Sequence, residues 1–276
     1  MNNIKFSVSM CVYGGDNAEW FEIAVNSILN QTVVPNEVVL VVDGPVPSEL
    51  NKIIIQYESN PLFKVIRFEK NQGHGTARRA GLQACQYNIV ALMDADDISV
   101  SDRFEKQLSK FQSDNYLDIV GGNISEFIDD IDNVVGIRKV PQSDREIKLY
   151  IKKRCPMNQM TVMFKKSSVE SVGGYKDWFC NEDYYLWVRM VLANQTFANV
   201  PDILVNVRVG KDMYQRRGGL KYFKSEAKLQ KYMLDKHIID IGTYFVNVIK
   251  RLIVQVLIPN KIRGWVFQRF ARSTTI

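Results

Sequence analysis

An apolar run, Ile89-Val-Ala-Leu-Met93, stops at three aspartates within four positions, Asp94, Asp96 and Asp97. A strand delivering carboxylates to its end must offset their repulsion and lost hydration, and a hard divalent cation with oxygen ligands does so. One or two carboxylates, with phosphate and water in the remaining positions, describe Mg²⁺ or Mn²⁺ better than an all-protein cage. The structural alternative is an acidic turn that caps the next helix. A second acidic pair, Glu182-Asp183, opens a helical pattern. Such a pair serves either as a partner of the helix dipole or, inside a crevice, as groups that raise each other's pKa and suit a general base. Arg216-Arg217-Gly218-Gly219 is a doubly basic hinge whose guanidiniums suit phosphate, with a solvated hinge as the alternative. The chain has only two histidines, His74 and His237, which argues against a histidine metal site or a Ser-His-Asp triad. Its four cysteines form no Cys-x-x-Cys pair and read as reduced thiols.

These groups need a scaffold. Phe6 to Val12 reads as a strand ending at Tyr13-Gly-Gly, followed by Asp16 as N-cap, Glu19 as its capping-box partner, and a helix burying Phe21, Ala24, Val25, Ile28 and Leu29. Val38 to Val42, ended by Asp43-Gly-Pro, reads as a central parallel strand. A helix over 48–59, a strand over 63–68, the loop Asn71-Gln-Gly-His-Gly75 and a helix over 76–85 lead to the Asp94 strand. Alternating strands and helices predict an α/β, Rossmann-like, doubly wound, mostly parallel sheet. Tyr13, Asp43 and Asp94 then all sit at strand carboxyl ends, where such sheets bind ligands. Gly73-x-Gly75 begins a dinucleotide fingerprint, but position 78 is arginine, which argues against a dehydrogenase. Ser101 is expected to cap a helix carrying Phe104, Leu108 and Phe111, and Ser143-x-x-Glu146 another. Strands are expected over 123–127, 134–139, 160–164, 196–199 and 203–208, and helices over 181–193 and 220–236.

Charge is unevenly placed. After Asp240 there is no acidic residue, and Lys250, Arg251, Lys261, Arg263, Arg269 and Arg272 account for the whole net charge of +6. The same tail is rich in large apolar groups, yet Lys250, Arg251 and Pro259 keep it short of the roughly 20 apolar residues a spanning helix needs. Basic amphipathic helices on an anionic membrane surface fit this composition. A homo-oligomer interface or a helix packed on the main body are the alternatives; a nucleic-acid arm is disfavoured by so much apolar surface. The reading divides the chain into a catalytic domain, 1–215, and a C-terminal helical region, 216–276. No signal peptide is read at the N-terminus, and a cytoplasmic, peripheral location on a membrane surface is expected.

Taken in order, Val-x-Tyr13, Asp43, Asn71-x-Gly73…Ala77-Arg78, Asp94-x-Asp96-Asp97, Gly173-Gly174-Tyr175 and Glu182-Asp183…Trp187 closely resemble family 2 inverting glycosyltransferases of the GT-A fold. The segment Val207-Arg208-Val209…Tyr214-x-Arg216-Arg217-Gly218-Gly219 resembles the branch that builds bacterial exopolysaccharide, capsule or O-antigen, of the amylovoran kind. The resemblance implies a GT-A sheet with a small antiparallel acceptor-side portion and a role for each matched residue. Tyr13 would stack on the nucleotide base and Asp43 accept the uracil N–H. Arg78 would lie along the nucleotide, although Arg79 competes with it for that place. Asp94 would meet the ribose or metal-bound water, and Asp96 the metal on the diphosphate. Asp97 is expected to cap the next helix. Asp183 would be the base, with Glu182 as its neighbour. Gln159, where relatives often carry histidine, and Trp187 would lie on the acceptor side. Arg216 and Arg217 would hold the donor phosphates or the pyrophosphate of a lipid acceptor. The implied activity is metal-dependent, inverting transfer of a hexose or N-acetylhexosamine from a UDP-sugar to a lipid-pyrophosphate-linked saccharide. A sugar nucleotidyltransferase and a catalytically silent, membrane-associated scaffold are the competing readings.

Overall fold

The computed structural model describes residues 4–210 and 218–259. Arg216 and Arg217, and the tail residues Lys261, Arg263, Arg269 and Arg272, lie outside the described residues.

Four parallel strands form the first half of the sheet: β1 (Phe6–Tyr13), β2 (Glu37–Asp43), β3 (Phe63–Arg67) and β4 (Ile89–Met93), in spatial order β3-β2-β1-β4. The chain winds outward from β1 through β2 to β3, then returns to lay β4 on the other side of β1. That reversal opens a crevice at the carboxyl ends of β1 and β4. The remaining strands are β5 (Ile98–Ser99), β6 (Leu117–Phe127), β7 (Val134–Arg138), β8 (Met163–Lys165) and β9 (Thr196–Arg208). β8 is antiparallel to both β4 and β6, β7 to β6, and β5 to β9, while β6 and β9 run parallel. The architecture is the expected GT-A type of α/β sheet.

Both faces of the sheet are covered, which is why β2 is apolar without alternation. Val38, Leu40 and Val42 enter one core with α1 (Ala18–Leu29), α2 (Ser48–Glu58) and α4 (Arg103–Ser113). Val39 enters the other, with α3 (His74–Ala84), α5 (Asp144–Tyr150), α6 (Lys166–Ser171), α7 (Glu182–Leu192) and α8 (Leu220–Asp235). From α8, Leu229 and Met233 are wholly buried in this second core.

Several local expectations change. The cap of α1 is Asn17, whose side chain accepts from the Trp20 N–H at 3.0 Å; Asp16 turns back to Tyr13 instead. α4 is preceded by Asp102 with no side-chain cap, and the Ser101 carbonyl is used by the Thr32 N–H. The Ser143–Glu146 capping box is present. The expected strand over 160–164 begins as a 3₁₀ turn, Gln159–Thr161, because the Thr161 hydroxyl bonds the Asn158 carbonyl at 2.7 Å; such local bonding competes with sheet pairing. The two strands expected over 196–208 are one, with register shifts on either side of Asn123; Asn123 donates to the Pro201 carbonyl at 2.6 Å where that proline interrupts the ladder.

α9 (Ile241–Leu252) is capped by Asp240, which accepts from the Thr243 N–H at 2.7 Å. Its Asn247 amide donates to the Lys152 carbonyl and to Gln230, both at 2.8 Å, and Arg251 pairs with Glu226 of α8. Ile241, Phe245, Val246, Ile249, Ile253 and Leu257 are left exposed. Among the described residues no helix is long and apolar enough to cross a membrane.

Candidate active site

The crevice is assembled around the first turn of α3. Asp43, at the end of β2 and almost fully buried, accepts from the Gln72 N–H at 2.7 Å and the Gly73 N–H at 3.0 Å, one to each carboxylate oxygen. This pins the loop leading into α3. Gly44 makes the approach feasible: it has φ +90°, and a Cβ there would lie 2.5 Å from the Asn71 nitrogen. Asp43 therefore shapes the loop, and a uracil N–H would share one of its oxygens with a backbone donor.

α3 lies close against β1, since a Cβ at Gly81 would meet the Ser9 hydroxyl at 2.6 Å. That approach carries Arg78 into the crevice, where its Nη2 donates to Asp94 Oδ1 at 2.8 Å and its Nε to His74 Nε2 at 3.1 Å. Burial alone would lower the Arg78 guanidinium, but Asp94 outweighs it and holds it above its ordinary value. Burial pushes Asp94 up, yet the Arg78 charge holds its carboxyl below the usual carboxylate range. The competition between neighbouring arginines is resolved by partners: Arg79 points away, donating to the Tyr175 carbonyl at 2.9 Å.

His74 is exposed, and it bridges two parts of the site. Arg78 can only donate, so Nε2 accepts and the imidazole proton sits on Nδ1, which faces Glu182 Oε1 at 3.5 Å. The i, i+4 spacing of His74 and Arg78 on a helix was the available signal. Glu182 and Asp183, adjacent in sequence, are displaced in opposite directions. For Glu182 burial raises the carboxyl, but the His74 bond and the α7 backbone overcome it and the net direction is down. Asp183 is pushed up to about 6 by burial and then by Glu182. Its Oδ1 accepts from the Tyr184 N–H at 2.6 Å.

The strand-end acids form the other wall. Asp97 does not cap α4. Instead it is buried, accepts from the Arg208 N–H at 3.0 Å, and is pushed well up by burial, Asp96 and Asp94. Asp16, missed as a site residue because it looked like a cap, is pushed up to about 6 by burial, with Asp96 and Asp94 adding to the rise. Beneath them Arg103 is wholly buried, donating to the Leu92 carbonyl at 2.7 Å. Burial brings it down to about 9, so it remains a cation at neutral pH and faces Asp94 and Asp97. Arg208, at the end of β9, lies over the Trp20 and Phe127 rings, 4.7 Å from each centroid, and fastens the acidic turn. Nothing in the pattern around Arg103 distinguished it from a surface arginine on a helix.

The rest of the expected set divides. Tyr13 is half exposed at the end of β1, with its N–H on Asp16 at 2.9 Å. Gln159 donates to the Tyr175 hydroxyl at 3.0 Å, and its Oε1 is buried with no hydrogen-bond partner among the described residues. Trp187 is a correction: expected on the acceptor side, it is fully enclosed in the second core, because position 187 faces the sheet side of α7. It can act on the site only by packing α7 in place.

Burial is the main cause of the raised Asp16 and Asp97 carboxyls, and the neighbouring charges of Asp96 and Asp94 add to it, a part that a bound cation would relieve. No group of three or more metal-ligating side chains is preassembled among the described residues.

Comparison with known proteins agrees with this geometry. Residues 7–171 match the family described as glycosyl transferase family 2. The chain is 35% identical over 97% of both chains to the UDP-Gal:alpha-D-GlcNAc-diphosphoundecaprenol beta-1,3-galactosyltransferase of Escherichia coli. It is 37% identical to the amylovoran biosynthesis glycosyltransferase AmsE of Erwinia amylovora, over 83% of this chain and 85% of that one. The crystal structure of S. aureus TarS 1-349 in complex with UDP-GlcNAc superposes with a TM-score of 0.66 at 17% identity, covering 96% of this chain and 79% of that one. The nucleotidyltransferase alternative is thereby set aside: the chain belongs to glycosyl transferase family 2 and has the GT-A fold.

Proposed function

We propose that this protein is a metal-dependent, inverting glycosyltransferase of bacterial surface-polysaccharide synthesis. It moves a hexose or N-acetylhexosamine from a UDP-sugar to a lipid-diphosphate-linked saccharide. The observation that carries the reading is the split between the two α7 carboxylates, with Asp183 up at about 6 and Glu182 held down, across the crevice from Asp94 and Arg78. Neighbouring carboxylates pushed apart divide their labour, and a group near 6 is ionised at neutral pH yet still basic enough to accept a proton.

In this reading Asp183 takes the proton from the acceptor hydroxyl as that oxygen attacks the face of the sugar opposite the departing diphosphate. Glu182, bonded to His74, stays ionised and keeps Asp183 basic. Tyr13 offers an exposed ring to the base, and Arg78 fixes Asp94 for the ribose. Asp96, with Asp94, would hold a Mn²⁺ or Mg²⁺ ion, which supplies charge neutralisation for the leaving diphosphate. Arg216 and Arg217, outside the described residues, remain proposed phosphate ligands. Retention of both Asp96 and Asp183 argues against a silent scaffold.

The exposed apolar stripe of α9, flanked by Lys250 and continued in sequence by a basic tail, supports docking on an anionic membrane at the cytoplasmic face. The E. coli relative is named for a diphosphoundecaprenol acceptor, which resides in a membrane. The test of the donor class is a panel of UDP-, GDP- and dTDP-sugars with Mn²⁺, read by thermal melting. A UDP-sugar should raise Tm only with the metal present; stabilisation by a GDP- or dTDP-sugar alone would refute the donor assignment.

A further inference from the structure

A cavity of about 840 Å³ lies between the catalytic body and the two C-terminal helices, and Asp183 is part of its wall. Tyr13, Asp43, Arg78 and Asp94 do not line it, so it is a different space from the nucleotide crevice and meets it at the α7 start. Its charge is lopsided: five cations, Arg138, Lys153, Arg154, Lys250 and Arg251, stand against two carboxylates, Asp183 and Glu226. Glu226 is already neutralised by Arg251, which also donates to the Lys153 carbonyl at 3.0 Å and so closes α9 onto the loop after α5. Lys153, Arg154 and Lys250 have no ion pair among the described residues. Arg138 sits near Asp183, where its charge opposes the rise of that carboxyl.

We propose that this cavity is the acceptor site, in which Lys153, Arg154 and Lys250 hold the diphosphate of a sugar–diphosphate–lipid while its sugar reaches Asp183. Three cations on one cavity wall, none of them in an ion pair among the described residues, match a group carrying two negative charges, and lysine and arginine both suit phosphate oxygens. The volume is of the size that encloses a sugar and two phosphates. Tyr150 and Tyr222 provide aromatic wall for the sugar, and Val246 of α9 joins the cavity to that helix's exposed apolar stripe, along which the lipid leaves. The inference rests on the acceptor class named under the proposed function and assigns that class its place.

The test uses full-length protein and two acceptors bearing the same sugar: N-acetylglucosaminyl diphosphate on a short alkyl chain, and the alkyl glycoside without diphosphate. The double variant Lys153→Ala/Lys250→Ala removes exposed side chains and leaves the Arg251–Glu226 clasp intact. KM for the diphosphate acceptor should rise about tenfold or more, with unchanged values for the alkyl glycoside and for UDP-sugar affinity. An equal rise for both acceptors, no rise, or weakened UDP-sugar binding would overturn the proposal. Direct binding of the diphosphate acceptor, by calorimetry, separates the two levels of the argument. If wild type transfers sugar to neither acceptor, the functional reading fails, but diphosphate-dependent binding lost in the variant still supports the site. Equal binding by both proteins rejects it.

Discussion

Asp183 and Glu182 are neighbours with opposite environments, and the difference is chemical rather than positional. His74 and backbone N–H groups stabilise the Glu182 anion, whereas Asp183 is more enclosed and feels the charge of Glu182. Two expectations follow for Asp183. The kcat/KM should fall as pH drops through about 6, and Asp183→Asn should lower kcat by roughly 10²-fold or more while UDP-sugar affinity is preserved. A flat profile and near-normal turnover would move the base elsewhere. Stability carries the complementary sign. A carboxyl whose folded pKa lies above its unfolded value contributes stability at acid pH that is lost as pH rises through the folded value. Relative to wild type, Asp183→Asn should therefore gain on the order of 1–2 kcal/mol between about pH 4 and pH 8, allowing for partial solvent access. Denaturant titrations at both pH values measure it. At the opposite wall, Asp96→Ala should abolish metal-dependent UDP-sugar binding, and unchanged calorimetric affinity with metal would remove the metal assignment. It should also let Asp16 and Asp97 return toward ordinary values, because Asp96 helps to raise both.

At the scale of elements, the carboxyl ends of β1, β2 and β4 bring Tyr13, Asp43 and Asp94 to one side of the sheet, and this was legible from the apolar runs and the turns that end them. So was the capping box of α5, whose signal is local. What was not legible depends on partners distant in sequence. Asp16 resembled a cap until the Asn17 side chain took that role, and its own carboxylate meets acids about eighty positions away. Arg103 lies on a helix whose pattern reads as amphipathic, yet it is buried under the acid turn. Trp187 followed the motif onto the acceptor side because a motif fixes order along the chain, not which face of a helix meets the core. The Asp43–Gly44 turn offers a test at this scale. Gly44→Ala places a Cβ against the Asn71 backbone at a positive φ and should cost about 1–3 kcal/mol. It should also raise KM for the donor, since the loop that starts α3 carries His74 and Arg78 into the site. Donor kinetics identical to wild type would mean that Asp43 does not position this loop for catalysis.

Across the whole molecule, the division into a catalytic domain and a C-terminal region is a functional proposal laid over a shared core, because α8 packs Leu229 and Met233 among α7 residues. Removing the tail would unroof the second core and the cavity beside Asp183, so point changes on the outer face of α9 test membrane docking better than truncation. Phe245→Asp and Ile249→Asp alter exposed side chains and should release the protein from anionic vesicles while leaving Tm close to that of wild type. Continued co-sedimentation would reject α9 as the docking face. Yet the account turns on the route of one proton and the face from which the sugar is attacked. The most direct measurement is NMR assignment of the anomeric configuration in the product formed from an α-linked UDP-sugar and the N-acetylglucosaminyl diphosphate acceptor. A β-linked product from wild type, absent with Asp183→Asn, is the predicted result; an α-linked product, or β-linked product formed at a normal rate by the variant, would contradict it.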